Sequence, residues 1–152
     1  MIRVLPLLLL MLLPVAAGAE ENAAELPGKK IYQRCAACHL PDGAGVPGAY
    51  PPLAGHIGDL LAAEGGRAYV VAALDRGAIG NVEVAGVTYR GMMPAQTSTL
   101  KDEDVTALLN YLVAAFAPDA GIAAFEVEEV NALRAAAKPM TAKAVHEARP
   151  FK

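Results

Sequence analysis

The sequence predicts an all-α fold, and three observations point to it. Residues 102–116 open with three acids, Asp102, Glu103 and Asp104, and continue with Val105, Leu108, Leu109 and Leu112 as an apolar stripe at helical spacing. The composition is 55% hydrophobic, much of it alanine, with 5% aromatic residues and no tryptophan. Such a chain makes helices readily but fills a core poorly. The third observation is Cys35-Ala36-Ala37-Cys38-His39, whose positions 35, 38 and 39 share one face of a helical turn. Two cysteines separated by two residues, with histidine next, form the attachment signature of a c-type haem. Each sulfur adds to one vinyl group, so the pair must sit a fixed distance apart along one porphyrin edge. His39 can then turn beneath the iron as an axial ligand. The expectation is a few helices wrapped around one covalently attached haem, whose bulk supplies what the small side chains lack.

Two other chemistries use the same residue types. A thioredoxin-like redox pair needs a βαβ context, and no buried strand precedes Cys35. A zinc site needs about four ligands, and the chain has two cysteines and three histidines, with His56 and His146 each isolated.

In chain order, residues 1–19 read as a signal peptide. Arg3 supplies the charge, Val4 to Val15 is apolar apart from Pro6 and Pro14, and Ala17-Gly18-Ala19 offers a small-x-small cleavage site. The apolar run is short for a membrane span, and no cysteine stands at the cleavage point for lipidation. The expected address is the periplasm, outside the cytoplasm, where bacterial haem attachment takes place. Cleavage removes one basic residue and no acid, taking the net charge from −3 to −4, which argues against nucleic acid as a partner. Residues 20–118 are then the haem domain and 119–152 a C-terminal helical extension and tail.

Glu20 to Glu25 is a polar lead, and a helix runs from Leu26-Pro27 through Cys38. Its Lys29, Lys30 and Arg34 are either a solvated face or a docking rim beside the haem edge. Leu40 to Gly58 alternates glycine and proline with apolar residues, as a loop laid over a haem edge would. A short helix is expected near Asp59 to Glu64, and another from Arg67 to Arg76 with Gly77 as its stop. Val82 to Tyr89 reads as an extended, hairpin-like loop rather than a sheet. A last helix is expected at Val127 to Ala137, with Val130 and Leu133 apolar, and Met140 to Lys152 as a loosely attached tail.

The sixth iron position decides the chemistry. Gly91-Met92-Met93-Pro94 lies in a non-helical segment just ahead of the 102–116 helix, where a loop can present a sulfur. A methionine is by default a core filler. Met93, beside proline in a loop, is instead assigned as ligand, with Met92 as the fallback and His56 a remoter choice. His56 and His146 are otherwise expected at the surface, like Met140. A thioether favours ferrous iron and raises the reduction potential, and with both axial sites filled no reactant reaches the metal.

These residues resemble the class I c-type cytochromes, small bacterial ones above all, over roughly Leu26 to Phe116. The likeness rests on Cys35–His39, on Gly45 to Gly55, on Tyr89-Arg90-Gly91-Met92-Met93-Pro94 and on the 102–116 helix. It implies haem on Cys35 and Cys38, axial His39 and Met93, a Pro51 carbonyl accepting from the histidine, and Leu53 packed on the porphyrin. Tyr111 would meet the N-terminal helix where the two cross. The family's usual aromatic partner position is Ile31 here, with Tyr32 one step along. Arg90, Tyr89 and Tyr50 are candidates for the haem propionates. The residues after Phe116 exceed the usual core and resemble the extra helix of cytochromes that serve dehydrogenases. The implied function is a periplasmic single-haem electron carrier, non-catalytic, working between redox partner proteins. The alternatives are an electron-transfer subunit of a dehydrogenase or reductase complex, and an open-iron haem enzyme or gas sensor.

Overall fold

The structure, a computed structural model, describes residues 25–151; the signal peptide expected at residues 1–19 lies outside them. In chain order its elements are α1 (Glu25–His39), α2 (Ile57–Ala62), α3 (Gly66–Arg76), β1 (Ala78–Val84), β2 (Val87–Met93), α4 (Asp102–Phe116), α5 (Val127–Ala137) and α6 (Ala142–Glu147). Helix is thus the dominant structure, and α4 and α5 span the residues that their sequence patterns mark.

The frame is the crossing of α1 and α4. Gly28 sits where the helices touch: a Cβ there would run into the Ala107 carbonyl and come within 2.7 Å of the Tyr111 Cβ. Four residues on, Tyr32 is 3% exposed, its ring 5.4 Å from that of Tyr111 and 5.1 Å from that of Phe116. Tyr32, not Ile31, is therefore the aromatic at the crossing. Its hydroxyl donates to the Leu40 carbonyl at 2.7 Å. Burial, with Cys35 adding to it, pushes that hydroxyl up to about 12, so it stays a donor. The bond closes the end of α1, where Leu40 takes a positive φ of 64° and turns the chain away just after His39.

Val105, Leu108 and Leu109 of α4 are fully buried in one core cluster that also holds Val70, Val71 and Leu74 of α3 and Val130 of α5. Phe125, 2% exposed, enters the same core ahead of α5. Its amide donates to the Asn110 side chain at 2.7 Å, and Asn110 donates back to its carbonyl at 3.1 Å. The Arg67 guanidinium lies 3.6 Å above its ring.

Two expectations need correction. Residues 78–93 form a true antiparallel hairpin, with seven pairs running from Ala78↔Met93 to Val84↔Val87, so the fold is mainly rather than wholly α. Ala85 and Gly86 turn it with φ of 51° and 75°, the pair of positive values that a two-residue type I′ turn requires. Met93 accordingly closes a strand instead of lying in a loop. The C-terminal stretch is likewise no loose tail. Thr141 caps α6 by accepting from the Ala144 amide, Val145 is fully buried, Arg149 is 8% exposed, and Met140 is half-buried against the Ala72–Ala73 cluster. The reason is shared: a lone hairpin is marginal in water, and α6 packs directly onto β1.

Candidate functional site

α1 carries both cysteines and the histidine on its last turn. Cys35 is 7% exposed, facing the core, and Cys38 and His39 are half-buried. Burial pushes the Cys35 thiol up to about 11, against a smaller opposing effect of Arg34. That is the reverse of the lowered thiol that a redox dithiol needs. Among the described residues no three His, Cys, Asp or Glu side chains converge as a metal-ion cage.

His39 Nδ1 lies 2.8 Å from the Pro51 carbonyl. A carbonyl only accepts, so Nδ1 carries a proton, and Nε2 is the ring nitrogen left to face a metal. The loop that delivers Pro51 is fastened to α1: the Gly45 amide donates to the His39 carbonyl at 3.0 Å, and Leu53 donates to Gly43 at 2.7 Å. Val46 and Tyr50 form an isolated bridge within it.

In front of this loop opens a cleft of about 520 Å³ lined by Cys38, His39, Tyr50, Pro51, Met93 and His146. A smaller space of about 120 Å³, lined by Cys35, Leu53, Leu112 and Arg149, shares His39, Pro51 and Met93 with it. Each of the six residues singled out in the sequence therefore lines the cleft, the smaller space or both, and His39, Pro51 and Met93 line both. The cleft's size is in the range of cofactor pockets. Met93 is half-buried and packs on the core, whereas its neighbour Met92 is 64% exposed at the rim. Tyr50, Tyr89 and Arg90 also line the cleft, with Tyr89 buried and Arg90 exposed.

Three residues were missed. His146, expected at the surface, is half-buried on α6 and lines the cleft, its ring filling the space where Gly80 lacks a side chain. His56, also expected outside, is half-buried and takes a 3.0 Å bond from Arg149 Nη2. Burial, then the Arg149 charge, lowers its basicity. Arg149 also donates to the Phe151 carbonyl at 2.6 Å, and its charge partly offsets the burial that pushes the Tyr69 hydroxyl up. No carboxylate among the described residues pairs with it. Nothing periodic marks Arg149 in the sequence, where it stands only as one of two basic residues, with Lys152, in the polar C-terminal stretch.

The donor set fits haem c. Two cysteines stand one helical turn apart, an imidazole has its Nδ1 committed to a carbonyl, and a thioether lines the same cleft. Arg149, a buried cation with no carboxylate partner among the described residues, lines the smaller space, and haem carries two carboxylates.

Residues 26–115 match the sequence profile of the Cytochrome c family. Two proteins from Thermus thermophilus, each called cytochrome c-552, are 47% identical to the chain. For one, the match runs over 116 residues, 74% of this chain and 77% of that protein. For the other it runs over 112 residues, 71% of this chain and 84% of that protein.

Proposed function

The chain belongs to the cytochrome c family, and from that premise we propose that it is an exported, periplasmic monohaem electron carrier with His39 and Met93 as axial ligands. Its cofactor is haem c, held covalently through the cysteines of the Cys-x-x-Cys-His motif, Cys35 and Cys38. When bound, haem supplies a one-electron ferric–ferrous couple.

The observation that carries the reading is the 2.8 Å bond from His39 Nδ1 to Pro51, with Met93 bordering the same cleft. The bond fixes the imidazole's tautomer and orientation and raises the basicity of Nε2. Met93 offers a neutral, soft sulfur, which favours the lower charge state and a higher potential. With both side chains holding the iron, no position would be left for a reactant, and the centre would exchange electrons without bond chemistry. Leu53 and Leu112 supply apolar walls, and Arg149 with Tyr69 would hold carboxylates by charge and hydrogen bonding.

Partners are redox proteins that approach the open side of the cleft, where Tyr50 and Met92 are exposed. Export rests on the leader read in residues 1–19, and no described helix is long and apolar enough to cross a membrane. The extension spends Phe125, Val130 and Val145 on packing against the helices of the haem domain, which favours a free carrier over a subunit that keeps these residues for a partner.

The test is Met93→Ala in the haem-loaded protein. It should lower the reduction potential, abolish the red-region sulfur-to-iron band of the ferric form and open the ferrous form to carbon monoxide. A variant with wild-type potential that stays closed to carbon monoxide would rule Met93 out as ligand.

A further inference from the structure

Resting on the reading of Met93 as ligand, we propose that Arg134 is its positioning residue: a guanidinium supplied by α5, beyond the span of the family match, fixes the connector after Met93 and so holds the sulfur at the cleft.

Strand pairing ends at Ala78↔Met93, and the next regular element begins at Asp102. Residues 94–101 have no ladder of their own, so their place depends on bonds from neighbouring helices. Leu74 of α3 accepts from the Gln96 and Thr97 amides at 2.7 and 3.1 Å. Arg34 of α1 donates to the Gln96 carbonyl at 2.8 Å, which gives that cation a structural use. Two further carbonyls are held by Arg134, which donates to Thr97 at 3.1 Å and to Leu100 at 3.0 Å.

The same guanidinium is itself immobilised. Its Nε donates to Asp75 Oδ1 at 2.9 Å and its Nη1 to Asp102 Oδ1, and its side chain is 13% exposed. One planar fork thus joins α3, the connector and the first turn of α4. An ammonium cannot cover four acceptors in that geometry. Release of the sulfur from the metal requires Met93 and the chain after it to move, and Arg134 resists that movement.

α5 has a second anchor that serves as a control. Arg67 pairs with Glu129 and donates to the Ala123 carbonyl at 2.9 Å, and its hydrogen bonds go to Ala123, Ala124 and Glu129 rather than to the connector. Loss of this anchor weakens the docking of α5 without releasing Met93.

The experiment compares haem-loaded wild type, Arg134→Gln, Arg134→Lys and Glu129→Gln. It measures the rate of carbon monoxide binding to the ferrous form, the pH at which the ferric sulfur-to-iron band is lost, and the thermal midpoint. Arg134→Gln should bind carbon monoxide about tenfold faster or more, the scale of one charge-assisted hydrogen bond, and lose the band at lower pH. Arg134→Lys should fall between it and wild type, and carries the comparison if the glutamine variant does not fold. Glu129→Gln should lower the thermal midpoint alone. The proposal is overturned if the Arg134 variants lose stability but keep the wild-type rate and band. It is equally overturned if Glu129→Gln opens the iron as far for the same loss of stability. A wild-type protein without the sulfur band would instead refute the Met93 ligand and the proposal with it.

Discussion

Arg149 is 8% exposed, yet within the described chain its guanidinium meets a histidine nitrogen, a carbonyl and a phenol rather than a carboxylate. A buried charge without an opposite charge is costly, and the cost is offset if an anionic group shares the cleft. The ring bond from His39 to Pro51 was legible through the family resemblance, which implies a proline carbonyl at that position. The Arg149 contact was not, since it joins positions 56 and 149, far apart in the chain, with no spacing rule to link them. Arg149→Gln should lower the reduction potential by tens of millivolts, on the order of a Coulomb term of 1–2 kcal/mol at protein dielectric. Removing a positive charge favours ferric over ferrous iron, which sets the sign. Arg149→Lys should keep most of the potential. Redox titration of the three proteins decides it, and a glutamine variant with wild-type potential would show that this charge does not act on the iron.

Among the elements, α1 and α4 are joined by a contact that leaves no room for a side chain at Gly28. Replacing glycine by alanine in a helix gains up to about 1 kcal/mol of propensity, while forcing a methyl into a packed contact costs about 1–3 kcal/mol. Here the obstacle is a carbonyl and a Cβ, neither of which can swing aside. The loss should win: Gly28→Ala should unfold several degrees lower, by about 1–2 kcal/mol in net terms, with the Met93 sulfur band kept. A thermal midpoint at or above wild type would mean that the crossing can open at little cost. The helices were legible because each carries its own signal: the acids of 102–104, the stripe of α4, the Gly77 stop of α3. The hairpin and α6 were not, because neither is convincing alone. Glycines 80, 86 and 91 interrupt the strand pattern, and six residues make a poor helix. Each is the other's packing partner: Val145 is buried as α6 packs on β1, and the His146 ring occupies the space over Gly80. Such mutual support is invisible to a window that slides along the chain.

For the molecule as a whole, attachment of the C-terminal segment to the haem domain depends on carboxylates. Asp102, in the first turn of α4, is held below the usual carboxylate range by hydrogen bonds from Asn131 and then Arg134 of α5. Glu129 is held low by its bond to Arg67 of α3. In the unfolded chain both titrate near their ordinary values of about 4. A group whose folded value lies lower binds fewer protons folded than unfolded in the interval between the two. The stability it contributes is therefore complete above about pH 4 and is lost as pH falls through the folded value. Acid should accordingly loosen α5, and the Phe125 and Val130 contacts behind it, before the α1–α4 crossing yields. The thermal midpoint should be flat from about pH 7 to 5 and fall steeply below about 4. An Asp102→Asn, Glu129→Gln double variant should begin lower and fall less, because neither side chain can then take up a proton. Thermal unfolding followed across that range, with amide exchange reporting on α5 and α4 separately, tests both parts. If the double variant tracks wild type point for point, or if α4 opens first, acid sensitivity resides elsewhere in the chain.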